Sequence, residues 1–193
     1  MNKFKKIDTG IEGLIVIEPT VFGDNRGFFM ESYSKRDFQE LGIELDFVQD
    51  NHSKSKKGVL RGLHFQTKFT QGKLVRVTAG AVLDVAVDLR ENSPTFGKYF
   101  AVELTEENKK MFYIPPGFAH GFLTLEDNTE FQYKCTDYYA PEYDSGVLWN
   151  DEEIGIQWNF EKYGLNQENI LLSEKDKKQQ SLREFVESGV VIG

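Results

Sequence analysis

A histidine within a cation-rich, acid-free stretch is the side chain best placed to do chemistry in this sequence. No Asp or Glu occurs between Asp50 and Asp84, and His64 lies near the middle of that window. The basic residues of the window are Lys54, Lys56, Lys57, Arg61, Lys68, Lys73 and Arg76. Since the chain as a whole has a formal net charge of −8, this local positive field predicts a site for an anionic small ligand. A solvated basic loop is the alternative interpretation.

The type and position of His64 suit a general base. An imidazole at cellular pH exists partly in its neutral form and can accept a proton. On a strand, His64 would face away from its apolar neighbours Leu63 and Phe65, which predicts a position in the lumen of a barrel. An imidazole whose hydrogen bonds are satisfied within the core is the alternative.

Two cations and a phenol could complete such a site. A cationic group beside a ketone oxygen stabilises the negative charge that grows there when a neighbouring proton leaves. Lys73 or Arg61 could take that role or screen a diphosphate, and either could equally be an ordinary surface cation. Tyr133, in the segment Glu130–Tyr139, could donate a proton or could only pack as an aromatic ring.

The histidines argue against a metal centre. His120 ends a Pro-x-Gly-x-x-His motif that begins at Pro115 and resembles the second motif of the cupins, which are small jelly-roll barrels. Metal-binding cupins supply His-x-His and a nearby Glu from a first motif, whereas this chain reads His64-Phe65-Gln66 with no acid after it. Two imidazoles among cations are a poor site for a dication, so we predict no metal.

Composition restricts the class of protein. A length of 193 residues fits one domain, which we place over residues 1–193. The acidic total argues against nucleic-acid binding, and a single cysteine, Cys135, excludes an internal disulfide and a thiolate metal cluster. Residues 1–12 do not read as a signal peptide and no apolar run is long enough to span a bilayer. We therefore predict a cytoplasmic protein with no membrane partner.

Short runs rich in Val, Ile, Phe and Tyr alternate with turn residues, which predicts an all-β fold of the sandwich or barrel kind. The predicted strands are Leu14–Glu18, Phe28–Tyr33, Leu45–Asn51, Val59–Gln66, Lys73–Val77, Val82–Leu89, Tyr99–Leu104, Met111–Ile114, Gly121–Leu125 and Glu130–Tyr138. Within Val82–Leu89 one face is predicted to carry Leu83, Val85, Val87 and Leu89, and the other Asp84, Ala86 and Asp88. Helices are predicted from Ser34 to Leu41 and over Gln179–Glu187, and the polar residues 161–193 are predicted to form a tail packed on the barrel.

Longer motifs give the sequence a family resemblance. They are Asp50–Ser55, Val59–Gln66, Gln71–Val75, Ser93–Gly97 and Gly117–Phe122. Together they resemble the dTDP-4-dehydrorhamnose 3,5-epimerases, and the similarity runs from residue 15 to residue 176. The resemblance implies a jelly-roll, cupin-like barrel with a few short helices, mainly at the C-terminus. It also implies a homodimer formed partly by exchange of N-terminal strands.

The catalytic residues of that family can be placed on this chain. The His of its Arg-Gly-Leu-His motif removes the protons next to the ketone, which implies that His64 is the base. The Asp of a late Leu-Ser-x-Lys-Asp motif pairs with that imidazole and matches Asp176. The resemblance further implies that Lys73 stabilises the enolate, that Tyr133 donates a proton from the opposite sugar face, and that Tyr139 stacks on thymine. The other substrate contacts that it implies are Arg26, Glu31, Gln49, Asn51, Arg61, His120, Asp144 and Lys175.

The activity implied by the resemblance is a metal-independent isomerase reaction. It converts dTDP-4-dehydro-6-deoxy-D-glucose to dTDP-4-dehydro-L-rhamnose by inverting carbons 3 and 5, on the path to dTDP-L-rhamnose. No redox cofactor is needed, in agreement with a sequence that lacks a glycine-rich dinucleotide fingerprint. Two alternatives remain. One is an epimerase of a single carbon or a ketoisomerase on a related dTDP-4-keto sugar, and the other is a non-catalytic cupin that binds a sugar.

Overall fold

The computed structural model describes residues 3–192, and antiparallel strands are its main regular structure. The strands are β1 Phe4–Asp8, β2 Ile15–Pro19, β3 Phe22–Asp24, β4 Gly27–Phe29, β5 Gln49–Ser55, β6 Leu60–Gln66, β7 Lys73–Ala79, β8 Ala81–Asp88, β9 Tyr99–Thr105, β10 Met111–Ile114, β11 Phe118–Thr124, β12 Thr129–Cys135 and β13 Asp144–Gly146. The α-helices are α1 Lys35–Glu40 and α2 Leu182–Glu187, and 3-10 helices cover Pro141–Tyr143, Phe160–Tyr163, Gln167–Asn169 and Asp176–Lys178. None of the helices described in residues 3–192 is long and apolar enough to cross a bilayer.

Two antiparallel sheets face each other and form the barrel. One has the strand order β1-β2-β10-β7-β12-β5 and the other the order β13-β6-β11-β8-β9. From β5 to β12 the chain passes back and forth between the sheets, and only β8 and β9 follow each other within one sheet. This connectivity is that of a jelly roll, so the predicted all-β jelly roll is confirmed. Among the described strands, the hairpin β3–β4 pairs with neither sheet.

Side chains from both sheets fill the space between them. Val75 of β7 and Phe131 of β12 belong to the same apolar cluster as Ala86 of β8 and Phe122 of β11. The rings of Phe122 and Phe131 stack with their centroids 4.2 Å apart. Such pairs contribute about 0.5–1.5 kcal/mol beyond the area they bury. The cluster holds the two sheets at a fixed distance from each other. Polar side chains that both sheets direct into the interior next to this cluster are therefore held at fixed positions.

The chain after β13 covers the outer face of the five-stranded sheet. Trp158, Leu182 and Phe185 from this segment pack in one cluster with Leu83 and Val85 of β8. All eight residues of β8 are buried, because this layer covers one face and the opposite sheet covers the other. The predicted aspartate face is therefore an interior face of the barrel.

Several boundaries differ from the predicted ones, because pairing with distant strands decides them. β5 is Gln49–Ser55 and not Leu45–Asn51, since all seven of its residues pair with β12. Of the predicted strand Phe28–Tyr33, only the first two residues belong to β4. The polar strand β1 carries no alternating apolar pattern, and its pairing with β2 makes it a strand. Helix α2 begins at Leu182 and not at Gln179, because a capping box that starts at Ser181 defines its first turn.

Asp88, the last residue of β8, organises the loop that follows. Its carboxylate is fully buried and accepts hydrogen bonds from the guanidinium of Arg90 at 2.9 and 2.7 Å. The hydroxyls of Ser93 and Thr95 each donate to it at 2.6 Å. Burial alone would raise the pKa of Asp88, but these hydrogen bonds lower it from 3.8 to about 2. Folding therefore stabilises the ionised form.

We expect Asp88→Asn to lower the free energy of unfolding by about 2 kcal/mol at neutral pH. When folding lowers the pKa of a carboxyl group, the ionised group stabilises the folded protein. This contribution is complete at a pH above the pKa in the unfolded protein, and it is lost as the pH falls through the pKa in the folded protein. For Asp88 that interval runs from 3.8 down to about 2, so the difference between variant and parent should shrink over it. Chemical denaturation at several pH values measures both effects. The exposed Glu107 provides a control, Glu107→Gln, and equal losses for the two variants would contradict this role.

Candidate active site

Both sheets contribute side chains to one cavity of about 450 Å³. Its walls come from β5, β6, β7, β11 and β12, and from residues 139–144 and 173–176. The predicted site residues that line it are Asn51, Arg61, His64, Lys73, His120, Tyr133, Tyr139, Asp144, Lys175 and Asp176. A cavity of this size is typical of small-molecule sites. Three of the predicted residues, Arg26, Glu31 and Gln49, do not line it.

His64 of β6 forms a hydrogen-bonded pair with Asp176, 112 residues later in the chain. Nε2 of His64 lies 2.5 Å from Oδ1 of Asp176, and the other carboxylate oxygen accepts a hydrogen bond from Oγ of Ser173 at 2.6 Å. Burial alone would raise the pKa of Asp176, but the hydrogen bonds from His64 and Ser173 lower it below its ordinary value. An ionised Asp beside the ring fixes the tautomer of the imidazole and stabilises its protonated form, which are the needs of a general base.

An irregularity in β6 turns Arg61 and His64 toward the same cavity. Residues three apart on a regular strand face opposite sides of the sheet. Between these two residues the pairing spans three steps on β6 but two on β11, which is the extra residue of a β-bulge. Gly62 permits the close contact of the strands: its φ is +120°, and a Cβ added there would lie 2.6 Å from Cα of Gly121. Any other residue at this position would push β6 and β11 apart.

His120 forms a second, more deeply buried pair with Asp84. It lies on β11, directly opposite His64 of β6, and its Nε2 is 2.9 and 3.1 Å from the two carboxylate oxygens of Asp84 on β8. Asp84 is fully buried, and burial raises its pKa. The contact holds the His120 ring in one orientation in the cavity wall. Sequence reasoning placed Asp84 on a strand face but did not connect it to His120.

The cavity also contains a buried ammonium group and a partly buried phenol. Lys73 begins β7 and is 9% exposed, and burial lowers its pKa. Tyr133 lies on the adjacent strand β12, and burial raises its pKa. A cation in surroundings of low dielectric acts strongly on an oxygen placed beside it. A phenol with a raised pKa remains protonated at neutral pH, which is the state of a proton donor.

A hydrogen-bonded network forms the rim of the cavity. The hydroxyl of Tyr139 donates to Oδ2 of Asp144 at 2.9 Å, and Lys175 forms an ion pair with the same oxygen. Gln49 accepts a hydrogen bond from the backbone N–H of Tyr139 at 3.0 Å and donates to Asn51 at 3.2 Å. Gln49 therefore holds two residues that line the cavity although it does not line the cavity itself.

Arg26 and Glu31 lie away from the cavity within this chain. Arg26 is on the exposed hairpin β3–β4, and its guanidinium pairs with Asp24 at 2.5 Å. Glu31 follows that hairpin and pairs with Lys3 at 2.6 Å. A single chain therefore does not bring these two predicted substrate contacts to the ten predicted site residues that line the cavity.

The donor set of the cavity is not that of a metal site. Within residues 3–192, no group of three or more His, Cys, Asp or Glu side chains lies close enough together to hold a metal ion. The Nε2 atoms of His64 and His120 are each engaged by a different aspartate. Neither imidazole therefore offers its Nε2 atom to a metal ion in this arrangement.

Known proteins share this fold and about half of this sequence. The family model for dTDP-4-dehydrorhamnose 3,5-epimerase matches residues 8–184. The chain belongs to the dTDP-4-dehydrorhamnose 3,5-epimerase family. The epimerase of Methanothermobacter thermautotrophicus is 53% identical over 184 residues, which are 95% of this chain and 97% of the relative. The epimerase of Escherichia coli is also 53% identical, over 93% of this chain and 95% of the relative.

The fold also matches that of a solved epimerase structure. The dTDP-6-deoxy-D-glucose-3,5-epimerase of Legionella pneumophila, crystallised in complex with dTDP-4-keto-L-rhamnose, matches with a TM-score of 0.91 and 47% identity. The match covers 98% of each chain. The fold of this epimerase family member is therefore that of its solved relatives along nearly its whole length.

Three residues of the site were not singled out from the sequence. Asp84 orients His120, Ser173 donates to Asp176, and Gln66 lies beneath the rim. The sequence did contain a signal for Ser173. The hydroxyl of a Ser often accepts a hydrogen bond from the backbone N–H three residues later, and here the N–H of Asp176 donates to Oγ of Ser173 at 3.1 Å. The contact of Asp84 joins strands far apart in the sequence and leaves no such local pattern.

Proposed function

We propose that this chain converts dTDP-4-dehydro-6-deoxy-D-glucose to dTDP-4-dehydro-L-rhamnose by inverting carbons 3 and 5, as a step of dTDP-L-rhamnose biosynthesis. The observation that carries the proposal is the arrangement of the His64–Asp176 pair, Lys73 and Tyr133 around one cavity. Membership of the epimerase family supports the choice of substrate. The reaction moves protons without changing the oxidation state of the sugar, so it needs no redox cofactor.

The first half of the reaction is removal of a proton next to the ketone. His64 takes the proton, and the electrons of the broken C–H bond form the enolate, whose negative charge develops on the ketone oxygen. The ammonium group of Lys73 stabilises that charge. Asp176, ionised because its hydrogen bonds lower its pKa, stabilises the protonated imidazole until the proton is released.

The second half returns a proton to the same carbon from the other face. Tyr133 donates it from its phenol, which burial keeps in the protonated form by raising its pKa. A base on one face and an acid on the other invert the carbon, whereas a single group acting alone would restore the starting configuration. The phenolate then recovers a proton from solvent, and the cycle repeats at the second carbon.

The remaining polar residues suit a nucleotide-linked sugar. Arg61 and Lys175 supply positive charge for the diphosphate, and Asn51 and His120 supply hydrogen-bonding groups within the cavity. Tyr139, at the rim and 55% exposed, offers a flat face for stacking on thymine. These assignments follow the family pattern, and the shared cavity of the five residues supports them.

A homodimer is part of the proposal. The hairpin β3–β4 exposes Phe22, Phe28 and Phe29 at 56%, 60% and 67%, and large exposed apolar side chains of this kind mark interaction surfaces. Arg26 and Glu31 lie on and beside the same hairpin. Packing of the hairpin on a second copy would bring both residues to the partner's cavity. The proposal also includes a cytoplasmic location, which suits the free, buried thiol of Cys135.

We expect sedimentation analysis to give twice the chain mass of 22.2 kDa for the parent protein. The double variant Phe28→Ser and Phe29→Ser should sediment as a monomer, because it removes most of the apolar area of the hairpin. Val186→Ser, an exposed apolar residue on α2, is the matched control and should leave the mass unchanged. A parent protein that sediments as a monomer would contradict the dimer.

Proton NMR in heavy water tests the function. With dTDP-4-dehydro-6-deoxy-D-glucose as substrate, we expect deuterium at carbons 3 and 5 and the spectrum of the L-rhamno product. Label and inversion at one carbon would identify a single-position epimerase, and relocation of the carbonyl would identify a ketoisomerase. A sugar that binds without any exchange would leave a binding protein and would overturn the proposal.

A further inference from the structure

Gln66 is a buried amide that the mechanism above does not use. It is the last residue of β6 and is 4% exposed. Its Nε2 donates hydrogen bonds to the carbonyl oxygens of Phe69 at 2.6 Å and Tyr138 at 3.3 Å. Its Oε1 accepts a hydrogen bond from the backbone N–H of Ala140 at 2.8 Å. A buried side chain whose polar atoms are all engaged with the main chain holds that main chain in place.

Two of these hydrogen bonds hold the peptide groups on either side of Tyr139. The carbonyl of Tyr138 belongs to the planar unit before it, and the N–H of Ala140 belongs to the planar unit after it. The backbone N–H of Tyr139 itself donates to Gln49 at 3.0 Å. Because each peptide unit is planar, fixing both units fixes φ and ψ of Tyr139. The direction of the Cα–Cβ bond of Tyr139 is thus set from beneath, and the hydrogen bond from its hydroxyl to Asp144 holds the far end of the ring.

The third hydrogen bond of Gln66 fixes the other side of the rim. Phe69 has a φ of 52°, in the left-handed region that bulky residues rarely adopt. Its ring meets the ring of Tyr143 edge-on, with centroids 5.5 Å apart. One buried amide therefore joins the loop after β6 to the segment after β12, and it holds both in a single arrangement.

We infer that Gln66 is a positioning residue for nucleotide recognition, which holds Tyr139 ready to stack on the base of the dTDP-linked sugar. The inference rests on the proposed function, because it takes Tyr139 as the ring that meets the nucleotide. A ring held in its binding orientation before the ligand arrives loses less conformational entropy on binding than a mobile one. Gln66 therefore acts on affinity for the nucleotide and not on proton transfer.

The test uses Gln66→Met, which keeps the length of the side chain and removes all three hydrogen bonds. We expect the Kd for dTDP, measured by calorimetry, and the KM for the keto sugar each to rise about tenfold, which corresponds to 1.4 kcal/mol. The kcat for the keto sugar should change by less than about threefold. In a Tyr139→Ala background, Gln66→Met should cause no further loss of affinity, because the residue through which it acts is gone.

Thr67→Val is the matched control. It removes a hydrogen bond from the neighbouring side chain to the carbonyl oxygen of Tyr143, at 3.4 Å, and should leave the affinity for dTDP unchanged. Should Gln66→Met fail to fold, Gln66→Glu keeps the acceptor for Ala140 and removes the donors to Phe69 and Tyr138, and a rise in Kd is again expected. Losses that add in the Tyr139→Ala background, or a lower kcat with unchanged KM, would overturn the inference. Normal affinity of Gln66→Met for dTDP would overturn the inference alone, whereas a parent protein that does not bind dTDP would overturn the proposed function with it.

Discussion

Replacing His64 with Asn is expected to lower kcat for the epimerisation by roughly 10²- to 10⁴-fold, the range lost when a general base is removed. The amide of Asn is polar and close in shape to the part of the imidazole nearest the main chain, but it cannot take a proton from carbon. The Kd for dTDP should change little, because His64 is not among the proposed nucleotide contacts. Steady-state kinetics with the keto sugar and calorimetry with dTDP separate the two effects.

A matched control for this variant is His52→Asn. His52 is an exposed histidine of β5, bonded to Glu130 at 3.1 Å, and has no role in the proposed proton transfers. We expect it to keep the kcat of the parent protein. If His64→Asn also kept the parent kcat, the base would have to be another group and the proposed reaction path would be wrong.

Lys73→Met is expected to lower kcat by roughly 10²- to 10³-fold, the cost of removing one group that stabilises a developing oxyanion. Met fills the space of the lysine stem, so the buried position is not left empty. The parent protein should also lose activity as the pH rises, because the ammonium form is the active one. Burial lowers the pKa of Lys73, so that loss should begin below 10.5, the ordinary value for lysine.

The exposed Lys56 gives the control for this second variant. Lys56→Met removes one positive charge from the same acid-free stretch without touching the cavity wall, and its kcat should match that of the parent. Equal effects of the two lysine variants would show that the general positive field matters and that a specific ammonium group does not.

The sequence pattern identified the strands that consist of an apolar run between turns and missed those that depend on pairing partners. The predictions for β6, β7, β9 and β10 lie within two residues of the observed bounds, since apolar runs between turns mark them directly. β1 is polar and becomes a strand only by pairing with β2. The alternation in β8 separated the aspartates from the leucines but could not show that the opposite sheet buries the aspartate face as well.

For the site, residue types could be predicted and most contacts could not. His64 stood out from its charged surroundings, but its link to Asp176 spans 112 residues and came from the family resemblance alone. The shared orientation of Arg61 and His64 requires a bulge that simple alternation does not show. The roles of Asp84 and Gln66 depend on hydrogen bonds formed only after the sheets have assembled.

The most direct measurement of the two-sided mechanism is proton NMR of Tyr133→Phe with the dTDP-4-keto sugar in heavy water. With the base intact and the opposite acid removed, we expect deuterium to enter the sugar next to the ketone while the configuration of the carbons is retained. Inversion at the parent rate would contradict the account, because the proton donor would then lie elsewhere. Complete loss of exchange would contradict it as well, because proton removal would then depend on the phenol.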